Sequence, residues 1–455
     1  MPIHALLIRP WIEDFSAFDL WMRPLGLLRL ATVLRRLEVH VDLLDCLNRR
    51  SPLLKGLPLP QRHRLNRYDC GHLYREEIPH PEILKNIPRR FKRHGVPLER
   101  VRQWLQAQHP PDIVFVACMA TYWYTGAQRM VKLCKEIWPS VPVFLGGVYP
   151  LLCPEHACAN SGADQVVTEP GWESVLHTAA DALGNPGSED TRNAAAEPIE
   201  PAFDLLPDRR SIPILTRTGC PFRCTYCAAE HLAPKSVPFP PEWVIGQIQE
   251  GISNEGLTDI AFLDDALLFD PERYAKPFFE QVIRAKLPVR FHTPNALHAR
   301  YIDREMADLM HRAGVCTVRL GLESDDAGFQ TASGGKVTND EYATAMENLK
   351  QAGFTPEEIG TYILAGLPGQ DLKSLRRTAT FVRRLGSQIR LAMYSPTPRT
   401  ALFGAREDFR FDPAADPLLQ NDSLTPWRSR LYTAEEFYEL KRWTDRMNGL
   451  GRARE

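Results

Sequence analysis

The chain has 455 residues, with 55 basic against 56 acidic side chains and a formal net charge of -1, a balance that argues against a surface wholly given to nucleic acid. That length can bury more than one core and predicts two or three domains. No apolar run nears the ~18 residues of a membrane span, the opening apolar stretch is too short for a secretion signal, and ten cysteines at this length do not make a disulfide scaffold. The expectation is a reducing, cytoplasmic compartment, no membrane span and no nucleic-acid partner.

Residues 3–8 predict a strand, 24–36 an amphipathic helix and 38–44 a second strand; 112–117 form a buried strand candidate, 126–138 a helix and 141–147 a strand ending in Gly146 and Gly147. Such alternation predicts a Rossmann-like α/β domain over residues 1–182, with ligand loops at the carboxyl ends of parallel strands. The glycine pair suits either a bulky planar ligand or a tight turn. An insertion near 48–108, carrying Arg62, Arg64, Arg67, Arg89, Arg90, Lys92, Arg93, Arg100 and Arg102, reads mainly as a solvated helical element, with a lid or a surface for an anionic partner as the alternative. His4, His40 and His156 read as surface or core-edge residues rather than ligands.

Residues 183–210, rich in Asn, Gly, Pro and charge, read as a linker. A strand at 211–216 then delivers Thr218-Gly-Cys-Pro-Phe-Arg-Cys-Thr-Tyr-Cys227. Three thiolates on one short loop can ligate three irons of a cubane cluster and leave the fourth open. A zinc site is the alternative; it wants a fourth ligand, for which His231 is in place.

Strand candidates at 259–265, 289–293, 317–323 and 360–366 complete a repeated pattern that fits a partial (β/α) barrel over residues 211–400, with polar residues at the strand ends. Asp264 and Asp265 stand at one end, either as site carboxylates or as helix caps. Glu323 stands at another, as a site carboxylate or a partner for Arg319, and Gly366 opens a turn that is either part of the site or an ordinary βα connection. Residues 401–455 form a C-terminal extension whose helix starts at the N-cap Thr433, with Glu436 three residues on. This tail either covers the barrel mouth, offering Tyr394, Trp427 and Tyr432 to substrate, or packs outside.

The spacing of Cys220, Cys224 and Cys227, with Phe222 inside the loop and Tyr226 just before the last cysteine, resembles the signature of the radical S-adenosylmethionine (SAM) superfamily. The resemblance implies a [4Fe-4S] cluster whose open iron chelates SAM, reductive cleavage of SAM to a 5'-deoxyadenosyl radical, a flavodoxin- or ferredoxin-type electron donor, and a curved six-stranded (β/α)6 core. By the same resemblance Asp265, Glu323 and Gly366 lie around SAM or substrate; Asp265, Glu323 and Tyr394 are the catalytic candidates.

Ahead of that loop, Pro24-Leu-Gly26, Ala117-Cys-Met-Ala-Thr121, Leu145-Gly-Gly-Val148 and Glu169-Pro-Gly-Trp-Glu173 are similar to the cobalamin-binding domain found before many radical SAM cores (class B-like). This implies a cobalamin contacted by Pro10, Pro24, Gly26, Cys118, Met119, Thr121, Gly146, Gly147, Glu169 and Gly171. Where methionine-synthase-like domains carry Asp-x-His-x-x-Gly, this chain has Arg9-Pro-Trp-Ile-Glu-Asp-Phe15, so a corrin would lack the lower histidine ligand. The commonest outcome in the family is radical methylation of an unactivated carbon on a small or lipid-like biosynthetic substrate; cyclisation, ring rearrangement or carbon–carbon coupling without methyl transfer are alternatives, and an iron–sulfur redox or binding protein is the non-enzyme alternative.

Overall fold

The computed structural model describes residues 3–57, 66–68, 70–179, 193, 197–405 and 407–449. The chain divides into two units, Met1–Arg209 with Asp416–Leu418, and Arg210–Ala415 with Leu419–Glu455.

In the first unit, β1 (His4–Arg9), β4 (His40–Asp45), β8 (Ile113–Cys118), β9 (Val143–Gly147) and β10 (Gln165–Val166) form a parallel sheet in the order β10-β9-β8-β1-β4. The β1 side chains Ala5 and Leu7 join a core with Leu27, Leu30, Ala31 and Leu34 of helix α1 (Leu25–Arg36). Leu6 and Ile8, pointing the other way, are equally buried, as a parallel sheet covered on both faces requires. Arg35 and Arg36 end α1 with positive charge where the helix dipole is negative.

The insertion is not the expected helical element. Strands β6 (Arg75–Glu77) and β7 (Lys92–His94) pair antiparallel with β2 (Ile12–Asp14) in one small sheet, and β5 (Gly71–His72) pairs with β3 (Phe18–Asp19) in another. Only Leu98–Gln106 is a full α-helix there among the described residues. Arg93 owes its burial to this pairing: its Nε donates to Glu13 Oε1 at 3.0 Å, and Arg129 Nε meets the same oxygen at 2.7 Å. Arg62 and Arg64 lie outside the described residues.

The expected linker is likewise bound into the first unit where it is described. Ile199 and Ala202 enter the α1 core, the Ala202 amide donates to Leu28 O at 3.0 Å, and Arg35 grips Asp204 with two 2.8 Å bonds.

The second unit is built on six parallel strands, β11 (Ser211–Ile214), β14 (Asp259–Phe262), β15 (Arg290–His292), β16 (Val315–Glu323), β17 (Ile359–Ala365) and β18 (Gln388–Met393), paired in sequence order. The helices between them carry their own start signals: Asp303 and Asp371 cap Arg304–Arg312 and Leu372–Arg384 through their carboxylates, and Thr338 forms a full capping box with Glu341. After β11 the chain makes a short hairpin, β12 (Arg217–Thr218) against β13 (Val237–Pro238), which brackets the three-cysteine loop. In the C-terminal extension Thr433 and Glu436 form the expected capping box on helix Ala434–Met447.

Candidate functional site

The first unit has an open, shallow recess at the carboxyl ends of β1 and β8, lined by Arg9, Pro10, Trp11, Ile12, Cys118 and Met119 among others. Three residues expected from sequence, Pro10, Cys118 and Met119, therefore share one wall. Arg9 was missed: its side chain is buried, Nη1 donates to Met22 O at 2.9 Å and reaches Asp45 at 3.4 Å, while Nε and Nη2 have no partner among the described residues. Two buried donors left open next to a recess fit a ligand that brings acceptor oxygens.

The other expected positions follow the same sheet edge. Thr121 is buried in the turn after β8, and Glu169 and Gly171 are exposed after β10. Pro24 and Gly26 begin α1, which returns the chain between the parallel strands β1 and β4, so its amino end lies at their carboxyl edge. The two glycines of β9 separate. Gly147 has φ +95 and a Cβ there would stand 2.5 Å from Cys118 O, so the strand-end turn itself demands it; at Gly146 the nearest side-chain atom is 4.0 Å away, leaving open space.

In the second unit the Cys220–Cys227 loop is shaped by glycine. Gly219 sits at φ +60, where a Cβ would come 2.5 Å from Lys235 O, and Gly334 at φ +108 lies 3.1 Å by the same measure from Arg223 O. The Cys227 amide donates to Cys224 O at 3.0 Å and the Thr225 amide to Ser333 O. The three thiols are spread more widely than ligands of one ion: among the described residues only another trio gathers its ligand atoms within 4.8 Å, whereas a zinc ion with Zn–S of about 2.3 Å draws sulfurs to roughly 3.8 Å. His231 does not gather with the cysteines within that distance either, and its Nε2 donates to Arg399 O at 3.0 Å. A wide trio of sulfurs on one loop fits a cubane.

Burial raises all three thiols, Cys220 to about 11, with Asp265 adding to the shift for Cys220 and Cys227. The opposing charge is Lys336, whose ammonium lowers Cys224 and Cys227. Lys336 donates to Glu323 Oε1 at 2.9 Å, and both side chains are nearly enclosed. Glu323 takes φ +65 at a shift in the β16–β17 register, a conformation that stores strain in a non-glycine residue and clusters at functional sites. Its hydrogen-bond partner is this lysine, while Arg319 donates to Val318 O and Glu358 O. Lys336 gave no sequence signal beyond its place after Gly334 and Gly335.

The Asp pair also divides. Asp264 caps no helix; its Oδ1 accepts from the Thr216 amide at 2.9 Å, the Thr216 hydroxyl at 2.7 Å and the Arg217 amide at 2.9 Å, tying β14 to the strand that delivers the cysteines. Burial lifts its carboxyl to about 7. Asp265 opens to solvent at the rim, its pKa raised by desolvation against the pull of Lys336.

Aromatic walls flank the loop. Phe222 stacks on His298 at 4.3 Å, and burial pushes that imidazole down to about 3, so it stays neutral. On the other side Tyr226 stacks on Phe329, next to a cluster of Leu367, Tyr394 and Phe409. Tyr394 is buried in that cluster, its hydroxyl without a partner among the described residues. Gly366 stands at φ +91 with Thr425 pressed against it, and Gln370 Oε1 accepts from its amide at 2.8 Å, the arrangement of a closed βα turn. In the extension, Thr425 and Arg428 reach over the ends of β17 and β18, Arg428 Nη1 donating to Tyr394 O at 2.6 Å, while helix Ala434–Met447 packs on Leu372–Arg384 and β18. Trp427 and Tyr432 pack on Tyr438 and Phe437 of that helix.

Residues 214–382 match the profile of the radical SAM superfamily. The chain carries a radical SAM domain. The match covers all three cysteines, Asp265, Glu323, Lys336 and Gly366, and such a domain is one built for a [4Fe-4S] cluster and SAM.

Among curated proteins the chain is 21% identical over 333 residues to the anaerobic magnesium-protoporphyrin IX monomethyl ester cyclase of Cereibacter sphaeroides, covering 66% of this chain and 53% of that protein. It is 22% identical over 189 residues to a probable threonylcarbamoyladenosine tRNA methylthiotransferase of Pyrococcus abyssi, covering 40% and 44%. The chain thus spans about half or less of the length of these relatives. In fold it is similar to the radical SAM methyltransferase TsrM of Kitasatospora setae with cobalamin and [4Fe-4S] cluster bound, at TM-score 0.64 and 16% identity over 88% of this chain and 77% of that one. It is also similar to the cobalamin-dependent radical SAM enzyme OxsB, at TM-score 0.58 and 12% identity over 98% and 61%. No described helix is long and apolar enough to cross a membrane.

Proposed function

We propose that this protein is a cobalamin-dependent radical SAM enzyme of the cytoplasm that modifies an unactivated carbon of a small or lipid-like biosynthetic substrate, by methyl transfer. The observation that carries the reading is the trio Cys220, Cys224 and Cys227, spread too widely for a single ion and placed beside Lys336, Glu323 and Asp265. The six parallel strands are read as a partial (β/α)6 barrel, with this site at its carboxyl mouth.

A [4Fe-4S] cluster on the three thiolates, fed by a flavodoxin- or ferredoxin-type donor, supplies the electron that cleaves SAM to methionine and a 5'-deoxyadenosyl radical. The chain's own contributions are positional. Lys336 offsets the negative charge that Cys224 and Cys227 carry as ligands, and Glu323 holds its ammonium in place. Asp265, with its raised pKa, can take or give a proton at its carboxylate oxygens. Tyr226, Phe329 and Leu364 pack against the Leu367, Tyr394 and Phe409 cluster and keep water from the reacting carbon. In the first unit the unpartnered Nε and Nη2 of Arg9 suit the amide oxygens at the edge of a corrin, and the open space at Gly146 suits its flat face. TsrM, to which this chain is similar in fold, is named a radical SAM methyltransferase with cobalamin and [4Fe-4S] cluster bound.

Ring closure or rearrangement without methyl transfer is the second reading, favoured by the cyclase relative. One experiment separates the two: anaerobic turnover of the cobalamin- and cluster-loaded chain with a panel of candidate substrates, counting nucleoside products. Methyl transfer predicts S-adenosylhomocysteine and 5'-deoxyadenosine together; cyclisation predicts 5'-deoxyadenosine alone. No SAM cleavage by a preparation that holds both iron and cobalt overturns both.

A further inference from the structure

At the amino edge of the first unit's sheet, opposite the recess, β1 and β4 pair with His4 facing His40 and Leu6 facing Asp42. Residues two apart share a face of a strand, so His40 and Asp42 project together, and His4 joins them. His4 Nε2 lies 2.9 Å from Asp42 Oδ2 and His40 Nε2 lies 3.8 Å from the same oxygen. The two imidazole rings are 5.1 Å apart. One ligand atom from each residue falls within 4.8 Å of the others, an arrangement no other group of three His, Cys, Asp or Glu reaches among the described residues. A hydrogen bond to Asp42 needs one imidazole; here two converge on one carboxylate oxygen.

We propose that His4, His40 and Asp42 form a three-ligand site for a zinc-class divalent ion, leaving one coordination position to water. The donor set suits such an ion: two imidazoles and one carboxylate, at bond lengths near 2.0–2.2 Å. Tetrahedral closure brings ligand atoms to roughly 3.3 Å; measured to Asp42 Oδ2, His4 is already inside that separation and His40 about half an ångström beyond it, while the imidazole nitrogens stand within 4.8 Å of each other. His40 is free to move in, with its side chain 63% exposed. His4 is fixed from behind, its amide donating to Asp112 Oδ2 at 2.7 Å and its carbonyl accepting from the Asp112 amide at 2.8 Å. Because β4 is the edge strand of its sheet, the ion clamps that edge to β1. The sequence alone gave His4 and His40 as non-ligands, since nothing in the chain order puts them side by side; only the strand register does.

The test is a zinc titration of the full chain with its cysteine cluster loaded, against a chromophoric competing chelator, with iron content and thermal unfolding followed in parallel. The wild type is expected to hold one zinc and to melt higher with it. His40→Gln and, independently, Asp42→Asn are expected to weaken that zinc about tenfold or more, the scale on which even outer partners of a metal site act, and to lose the thermal shift while keeping iron. Equal zinc affinity in all three proteins, or no zinc retained against the competitor by the wild type, overturns the proposal.

Discussion

Lys336 and Glu323 are the residues whose loss speaks most directly about the site. Both are nearly enclosed, and removing one partner of a buried pair costs about 3–5 kcal/mol because the other charge stays buried and unpaired. Lys336→Met is expected to lower the urea midpoint accordingly. It also takes a positive charge from beside Cys224 and Cys227, so the cluster's reduction potential should fall, and Lys336→Arg should restore most of it; a potential that does not move in the methionine variant would make the pair purely structural. Asp264 carries a different signature. Its carboxyl is raised to about 7 by burial, above the ~3.9 of an unfolded chain, so the folded state binds the extra proton between those values. Stability from this group is full below about pH 4, declines by up to about 1.4 kcal/mol per pH unit as pH rises, and levels off above about 7. Asp264→Asn should flatten that slope, which denaturant titrations at pH 4.5, 6 and 7.5 would read. Arg9 speaks for the other unit: Arg9→Lys keeps a cation beside Asp45 but removes the planar fork, and a lost charge-assisted hydrogen bond of about 1.5–3 kcal/mol predicts corrin binding weaker by about 10- to 100-fold, measured by cobalt retained per chain.

At the scale of elements, the cysteine loop depends on backbone that only glycine adopts. A Cβ at Gly219 would meet two carbonyl oxygens, of Lys235 and Ala233, at 2.5 and 2.6 Å, so Gly219→Ala must push the β12–β13 hairpin open. Reconstituted iron should fall steeply while cobalt retention by the first unit stays unchanged; equal iron in the variant would show that the loop forms without the hairpin. Among the strands legible in the sequence, Ile113–Cys118 is a continuous apolar run, because burial on both faces writes itself into composition, while the edge strand His40–Asp45 shows as alternation of exposed His40 and Asp42 with buried Val41. The sixth strand, Gln388–Met393, escaped because it is mostly half-buried and Gln388 and Arg390 interrupt its apolar residues; its outer edge is completed by the Asn448 amide, which exchanges hydrogen bonds of 2.8 Å with both the N–H and the carbonyl of Ile389. The insertion was misread as helical because its strands are short and charged, and Arg93 becomes a buried partner of Glu13 only after β7 has paired with β2. The cysteine spacing was legible since the ligands are local; Lys336 and Arg9 were not, since each acquires its role through contacts far away in sequence.

For the whole molecule, two units with separate cores each place their candidate site at the carboxyl ends of parallel strands, where the loops are free to diversify. If the recess lined by Arg9, Pro10 and Met119 takes the corrin, and the cysteine loop takes the cluster, then each cofactor stabilises the fold it touches by an amount set by its own affinity, about 2.7 kcal/mol at a hundredfold excess over Kd. Hydrogen exchange reads this locally. Adding cobalamin to the chain without its cluster should slow exchange at the ends of β1 and β8 and leave residues 217–237 unchanged. Rebuilding the cluster should protect 217–237, and Cys224→Ala should abolish that second protection while sparing the first. Protection by cobalamin that appears only in residues 217–237 would move the corrin out of the first unit and leave Arg9 to some other oxygen-bearing ligand.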